Sequence, residues 1–218
     1  MTAPRALVLA KATVPGRVKT RLAVDIGDAA AAAVAAASLL DTVTACSQAF
    51  GSDACHLALH GDPADGVRGD ELARATAGWT TTRQRGAGFA ERLVNAHLDL
   101  PGDGAVLQVG MDTPQLTPEL LGDVAEQLDR HGAVLGPAED GGWWILALRS
   151  ARDARALSGV PMSTTTTYQR TRAALVDAGL QVGVAVTLRD VDDLADARAV
   201  VTGLTDGHFP RAWREVAP

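Results

Sequence analysis

Short apolar runs alternate with longer segments of helical periodicity along nearly the whole chain, and this alternation restricts the fold more than any other feature. The runs at 6–10, 56–60, 105–109, 133–135 and 143–148 read as buried strands. Between them, 28–50, 88–98, 117–130 and 165–178 carry the spacing of helices that lay one face on a sheet. Alternation of this kind gives βαβ units, so the expected class is an α/β, Rossmann-like fold: a mainly parallel sheet with helices on both faces. Shorter strands at 79–83 and 181–186 and a helix at 193–201 extend the pattern. Residues 11–25 read as a basic loop, 61–78 as an irregular connection with a short helix at 69–76, and the final HFPRAWREVAP has no assigned element.

A length of 218 residues with 47% apolar content suits one domain spanning 1–218, and no repeat, low-complexity linker or composition shift marks a second. The net charge of −6 excludes a protein that coats nucleic acid, which needs a dense surplus of Lys and Arg. Cys46 and Cys55 lack zinc-ligand spacing and neighbours, so neither a disulfide framework nor a zinc site is expected, and a reducing compartment fits. The apolar run before Lys11 is too short for a signal-peptide core, which points to a cytoplasmic protein. The alanine-rich stretch at 29–37 is broken by Asp28, Ser38, Asp41, Thr42 and Thr44 within the length a span requires, so no membrane span is expected.

Chemistry concentrates where strands end. After the first strand, Lys11, Arg17, Lys19 and Arg21 crowd around one Pro-Gly turn, and clustered cations call for an anion such as a polyphosphate. A solvated basic loop is the alternative, and the GxxxxGK[ST] spacing of a Walker loop is absent. After the strand at 105–109, Val109-Gly-Met-Asp112-Thr-Pro delivers a carboxylate into a tight turn, suited to a hard cation or simply to an Asp turn. The segment Glu139-Asp140-Gly141-Gly142 sets acids beside glycines that permit close backbone approach, and its Asp-Gly is equally a hairpin signal. The adjacent Trp143 and Trp144 should point to opposite faces of the next strand. Asp192 is a second candidate metal ligand, although Asp192 or Asp193 could be a helix cap. Gln84 and Gly86 open a glycine-rich loop before a helix, and the hydroxyls of Ser163 and 164–167 read as caps. No nucleophile motif such as GxSxG is present.

Taken in order, KATVPGRVKTRL, QRGAGFAERL, VGMDTPQL, GPAEDGGWWILAL and DVDDLAD resemble the radical-SAM/selenodomain-associated transferase family, within the nucleotide-diphospho-sugar transferase (glycosyltransferase A) superfamily. The resemblance spans 11–196 and implies a glycosyltransferase A fold. It also implies Lys11, Arg17, Lys19 and Arg21 on nucleotide phosphates, Gln84 and Gly86 on the base, and Asp112 with Asp192 on Mg2+ or Mn2+. The acidic loop, Glu139 to Gly142, would face the acceptor or sugar. Met111 stands where the family usually has Ser, and Met162-Ser-Thr-Thr where it more often has Trp-Ser-Thr-Pro. The expected activity is metal-dependent transfer, leaning to nucleotidyl transfer from a nucleoside triphosphate to a small anionic acceptor, with Lys19, Arg21 and Asp112 catalytic. Sugar transfer from a nucleotide sugar is the first alternative and a non-catalytic nucleotide-binding module the second. Assembly as a homodimer stays open.

Overall fold

The computed structural model describes residues 4–218. Its centre is β1 (Arg5–Lys11), whose residues Ala6 to Ala10 are all buried. Side chains alternate: Ala6, Val8 and Ala10 enter the core on one face, Leu7 and Leu9 the core on the other. A strand apolar on both sides fits only the middle of a sheet covered twice. Seven strands form that sheet in the order β3-β2-β1-β4-β6-β5-β7. Beside β1 lie β2 (Cys55–His60) and β4 (Val106–Val109), both parallel to it, and β3 (Thr80–Arg83) pairs parallel with β2. The mainly parallel α/β sheet is therefore present. Its antiparallel member is β6 (Trp143–Leu148), inserted between β4 and β5 (Ala133–Pro137), with β7 (Val182–Val184) parallel to β5 at the far edge. The Asp-Gly signal is thus a genuine hairpin turn between β5 and β6.

Helices α2 (Asp28–Phe50), α3 (Gly69–Ala75) and α5 (Pro118–Gln127) cover one face. Helices α4 (Phe89–Leu98) and α6 (Thr167–Asp177) and the 3-10 turn at Ala151–Leu157 cover the other. A third apolar cluster sits outside α2, where α1 (Thr20–Ile26), α7 (Leu194–Thr202) and α8 (His208–Val216) pack on it. Helix α2 is thus enclosed on both sides, which explains its alanines: small side chains let sheet and helix approach from opposite directions. By length and composition α2 could cross a membrane, yet 72% of its apolar window is buried inside the protein.

Three expectations change. The basic segment 11–25 is not all loop, because α1 starts at Thr20 and buries Leu22 in the third cluster. A helix of 7 residues is too short to show its period in sequence. The unassigned tail contains α8, whose Phe209 and Trp213 stack one turn apart, centroids 6.5 Å, and bury themselves against α2. Its first turn is capped from far away: the Asp41 carboxylate accepts from the backbone N–H of His208 (2.7 Å) and Phe209 (2.8 Å). The strand expected at 181–186 shortens to Val182–Val184, an edge strand.

His97 makes the α4 packing sensitive to acid. Its ring is wholly buried, Nδ1 lies 2.8 Å from the Leu93 carbonyl oxygen, and Nε2 has no partner. Burial lowers its pKa from 6.5 to about 4, the Leu93 hydrogen bond opposing this. The unfolded chain therefore takes up the proton first, and the stability of the neutral form is lost as pH falls from 6.5 towards 4. A shift of this size corresponds to roughly 3 kcal/mol. His97→Leu should flatten that part of the pH profile, measured by urea unfolding of variant and parent at neutral and acid pH; equal acid losses in both would show that His97 is not responsible.

Candidate active site

The connection from β1 leads to β2 on one side, while β4 lies on the other, so the loops leaving β1 and β4 part above the strand ends. Open α/β sheets bind ligands at such a point. Here it forms a cleft of about 680 Å3. Lys11, Arg17, Lys19, Arg21, Asp112, Asp140, Gly142 and Asp192 all line it. Strand order thus gathers motifs that lie far apart in sequence.

The loop after β1 turns at Gly16 (φ 75°), with the Arg17 N–H donating to the Val14 carbonyl at 3.0 Å. Lys11, Arg17 and Arg21 are exposed at the mouth. Lys19 differs. It adopts a left-handed backbone (φ 47°) just before α1, and its side chain is 5% exposed. Its ammonium pairs with Asp112 Oδ1 and lies 3.2 Å from Asp192 Oδ1. Burial opposes the ammonium, but Asp112 and then Asp192 outweigh it and hold its pKa above the ordinary value. Arg21 stands 3.8 Å from the other oxygen of Asp192.

Two backbone-directed bonds bring these carboxylates together. The Val191 N–H donates to the Asp112 carbonyl (2.9 Å), and the Gln115 amide donates to the Arg189 carbonyl (2.7 Å), fastening 112–115 to 189–191. Asp193 caps α7, accepting from the Asp196 N–H while Asp196 reaches back to the Asp193 N–H. This resolves the ambiguity between the two neighbours: Asp193 caps, and Asp192 is left to face Lys19. Asp190, which the sequence reading did not single out, is also in the cleft, with Oδ1 buried and without a partner. Burial first and the Asp112 charge second push its pKa up to about 7, Lys19 partly offsetting them. Its position within DVDD was the available signal.

Met111 fills space at the strand ends. It is buried, its sulfur accepts from the Lys11 N–H at 3.3 Å, and its carbonyl accepts from the Ser38 hydroxyl at 2.7 Å. The Met111 side chain thus ties the β4 turn to β1, and its backbone carbonyl ties the same turn to α2. In the hairpin turn, Asp140 accepts from the Gly142 N–H at 2.7 Å. Glu139 does not line the cleft; it pairs with Arg189, which also meets Asp196 at 3.3 Å, so the acceptor role expected for it has no geometric support. Trp143 and Trp144 do point to opposite faces, Trp143 against α6 and Trp144 into the core, where its N–H donates to the Val186 carbonyl at 2.9 Å.

Gln84 lines the cleft, but its amide N–H groups donate to the carbonyls of Ala10 and Ala58, both at 2.9 Å, so only its carbonyl side is left for a base. Next to it a recess of about 430 Å3 opens at the ends of β2 and β3. Gly86 (φ 136°) lets the loop lie on α4, where a Cβ would come within 2.9 Å of Glu91. Sequence reading also missed Phe89, Arg92 and Gln108 as cleft residues, and it read Ser163, Thr164, Thr165 and Thr167 only as caps although they too line it. Cys46 and Cys55 are buried free thiols; burial raises both pKa values, Cys55 to about 12, so neither is poised as a nucleophile.

Asp112 and Asp192, with Asp190 beside them, form a donor set of hard oxygens around one buried ammonium. Among the described residues, no three metal-ligating side chains form a ready-made cage. That set does not suit a structural zinc ion. It does suit Mg2+ or Mn2+, which accept one or two carboxylates and complete their shells with water and phosphate oxygens.

A family model described as "Uncharacterized protein conserved in bacteria (DUF2064)" matches residues 42–164. No curated protein matches the sequence. Among solved structures, one from Desulfovibrio desulfuricans G20, described as a "putative nucleotide-diphospho-sugar transferase", superposes with a TM-score of 0.85 at 23% identity, over 99% of this chain and 95% of its own. The inositol-1-phosphate CTP transferase from T. maritima gives 0.58 at 13% identity, covering 99% of each chain. Rv0371c from Mycobacterium tuberculosis H37Rv, in complex with manganese, gives 0.55 at 19% identity over 93% and 100%. These likenesses show the fold, a glycosyltransferase A and nucleotidyltransferase-like α/β sheet.

Proposed function

This chain belongs to the DUF2064 family, and we propose that it is a divalent-metal-dependent nucleotidyltransferase acting from a nucleoside triphosphate on a small anionic acceptor. The observation that carries this reading is the juxtaposition of Asp112, Asp190 and Asp192 with the cations Arg17 and Arg21 in one cleft at the switch point. A cleft that holds carboxylates and cations side by side suits a triphosphate bridged to the carboxylates through a metal ion. The CTP transferase among the structural neighbours supports the choice of reaction, and the manganese complex of Rv0371c supports the choice of metal. The resemblance of its motifs to those of the radical-SAM/selenodomain-associated transferases supports the same reading.

A divalent cation held by Asp112 and Asp192 would supply charge neutralisation at phosphate oxygens. The chain's own residues do the rest. Arg17 and Arg21 at the mouth take the phosphate tail and hold the α-phosphorus over the strand ends. An oxygen of the acceptor then attacks that phosphorus and the bond to the pyrophosphate oxygen breaks. Arg21 stabilises the charge gathering on the departing pyrophosphate. Lys19 is set between Asp112 and Asp192 where metal would bind, so the ammonium and a divalent cation compete for the same oxygens.

A thermal-shift panel tests the reading: each nucleoside triphosphate, diphosphate and nucleotide sugar with magnesium, manganese or chelator. A metal-dependent shift with one triphosphate is expected. A shift confined to a nucleotide sugar would favour sugar transfer, the reading suggested by the description of the Desulfovibrio neighbour. Metal-dependent triphosphate binding without product from any acceptor would favour a binding module. Lys19→Ala, in the same panel, should weaken nucleotide binding in chelator, most at low salt, and enlarge the shift given by manganese alone. If manganese alone affects variant and parent equally, Lys19 does not occupy the metal's place.

A further inference from the structure

The roles proposed for the nucleotide and metal leave one half of the cleft unassigned. It lies on the α4 side of the sheet, bounded by Phe89, Arg92, Gln108, Trp143, Met162 and Thr164. Gln108 sits on β4 between Leu107 and Val109, both of which enter the core on the opposite face, so its side chain points to the α4 side. It is 2% exposed and its Oε1 has no hydrogen-bond partner. A buried amide oxygen left unpaired carries a desolvation cost that a ligand donor would remove. On α4, the Nε of Arg92 is likewise shielded and without a partner, its guanidinium rests 5.7 Å from the Phe89 ring centroid, and it joins none of the ion pairs among the described residues.

We propose that this half is the acceptor subsite, that Arg92 receives the carboxylate or phosphate oxyanion of the acceptor, and that Gln108 receives a hydroxyl or amine hydrogen from it. The identification rests on the transferase reading above; the anion site does not. An anionic acceptor cannot be held by Asp140, Asp190 or Asp192. The cations of the β1 loop are engaged by nucleotide phosphates, and Lys19 by Asp112 and Asp192. Arg92 is the cation on this wall, and its planar fork matches an oxyanion in two-point contact. Phe89 lies against Arg92, and Trp143 and Met162 line the same cleft, so the acceptor is a small molecule with one anionic end, a hydrogen-bond donor and an apolar or flat body.

Phenyl phosphate and benzoate, titrated separately by calorimetry without nucleotide or metal, test the site on the parent, R92A, R92K and the R17A/R21A pair. One of the two anions should bind the parent with millimolar affinity, about 10-fold more weakly to R92A and to an intermediate degree to R92K, and within about 2-fold of the parent to R17A/R21A. Which anion binds assigns the acceptor as a phosphate or a carboxylate. The proposal is overturned if the weakening follows Arg17 and Arg21, if all variants bind alike, or if neither anion binds the parent at about 10 mM. Should R92A fail to fold, R92K decides by the same comparison. None of these results requires turnover, so a failure here leaves the nucleotidyltransferase reading to its own test.

Discussion

Asp112→Asn should reduce metal-dependent turnover by roughly 100- to 1,000-fold, the loss typical of removing one electrostatic contact that acts in the transition state. The substitution keeps the shape of the side chain and removes its charge. The backbone of the turn stays tied, because the Asp112 carbonyl and not its carboxylate accepts from Val191. Asp112 is also partly exposed, at 39%, so its pairing with Lys19 is screened by solvent and the fold should tolerate the change. Two measurements separate the roles. Manganese binding followed by electron paramagnetic resonance should weaken in the variant, while its far-UV circular dichroism matches the parent. An unchanged rate under saturating metal would remove Asp112 from the list of required ligands.

Gly141→Ala should be the most damaging small substitution near the cleft. Gly141 has φ 89°, a region that costs an L-residue about 1–2 kcal/mol. A Cβ there would also stand 2.1 Å from the Thr165 carbonyl oxygen and 2.6 Å from its carbon. Those are backbone atoms that no rotamer change can move. Since the Gly141 carbonyl also accepts from the Tyr168 N–H at 2.9 Å, the hairpin turn and the start of α6 must separate together. Strain and overpacking combined suggest about 2–4 kcal/mol, or a fall in Tm of about 5–15 °C. Gly142→Ala is the control: its φ is not positive, and its Cβ would meet only the Asp140 carboxylate, at 3.0 Å, a side-chain end that can turn aside. If the two variants melt at the same temperature, the close approach of Gly141 to Thr165 is not what holds this wall.

Substitutions in the two halves of the cleft should have different consequences. Lys19 and its carboxylates carry the proposed metal and phosphate contacts, whereas Arg92 and Gln108 lie on α4 and β4, on the other side of the cleft. Substitutions at 112–115 or 189–192 should therefore disturb metal and nucleotide together, and substitutions at Arg92 only the acceptor.

What was legible in the sequence was local. Strand and helix periods, the Thr117 cap that accepts from Leu120, the Asp-Gly hairpin and the cation-rich turn after β1 each depend on residues a few positions apart. The class of sheet followed from their alternation. The tertiary structure decided everything that depends on strand order and facing. It alone inserted β6 antiparallel, docked α8 through Asp41, sent Glu139 to Arg189, and chose Asp192 over Asp193 for the cleft. It alone brought Lys19 to Asp112 and Asp192, and set Arg92 and Gln108 in one cleft, because periodicity records which side of its own element a residue occupies and carries no term for which distant element will be opposite.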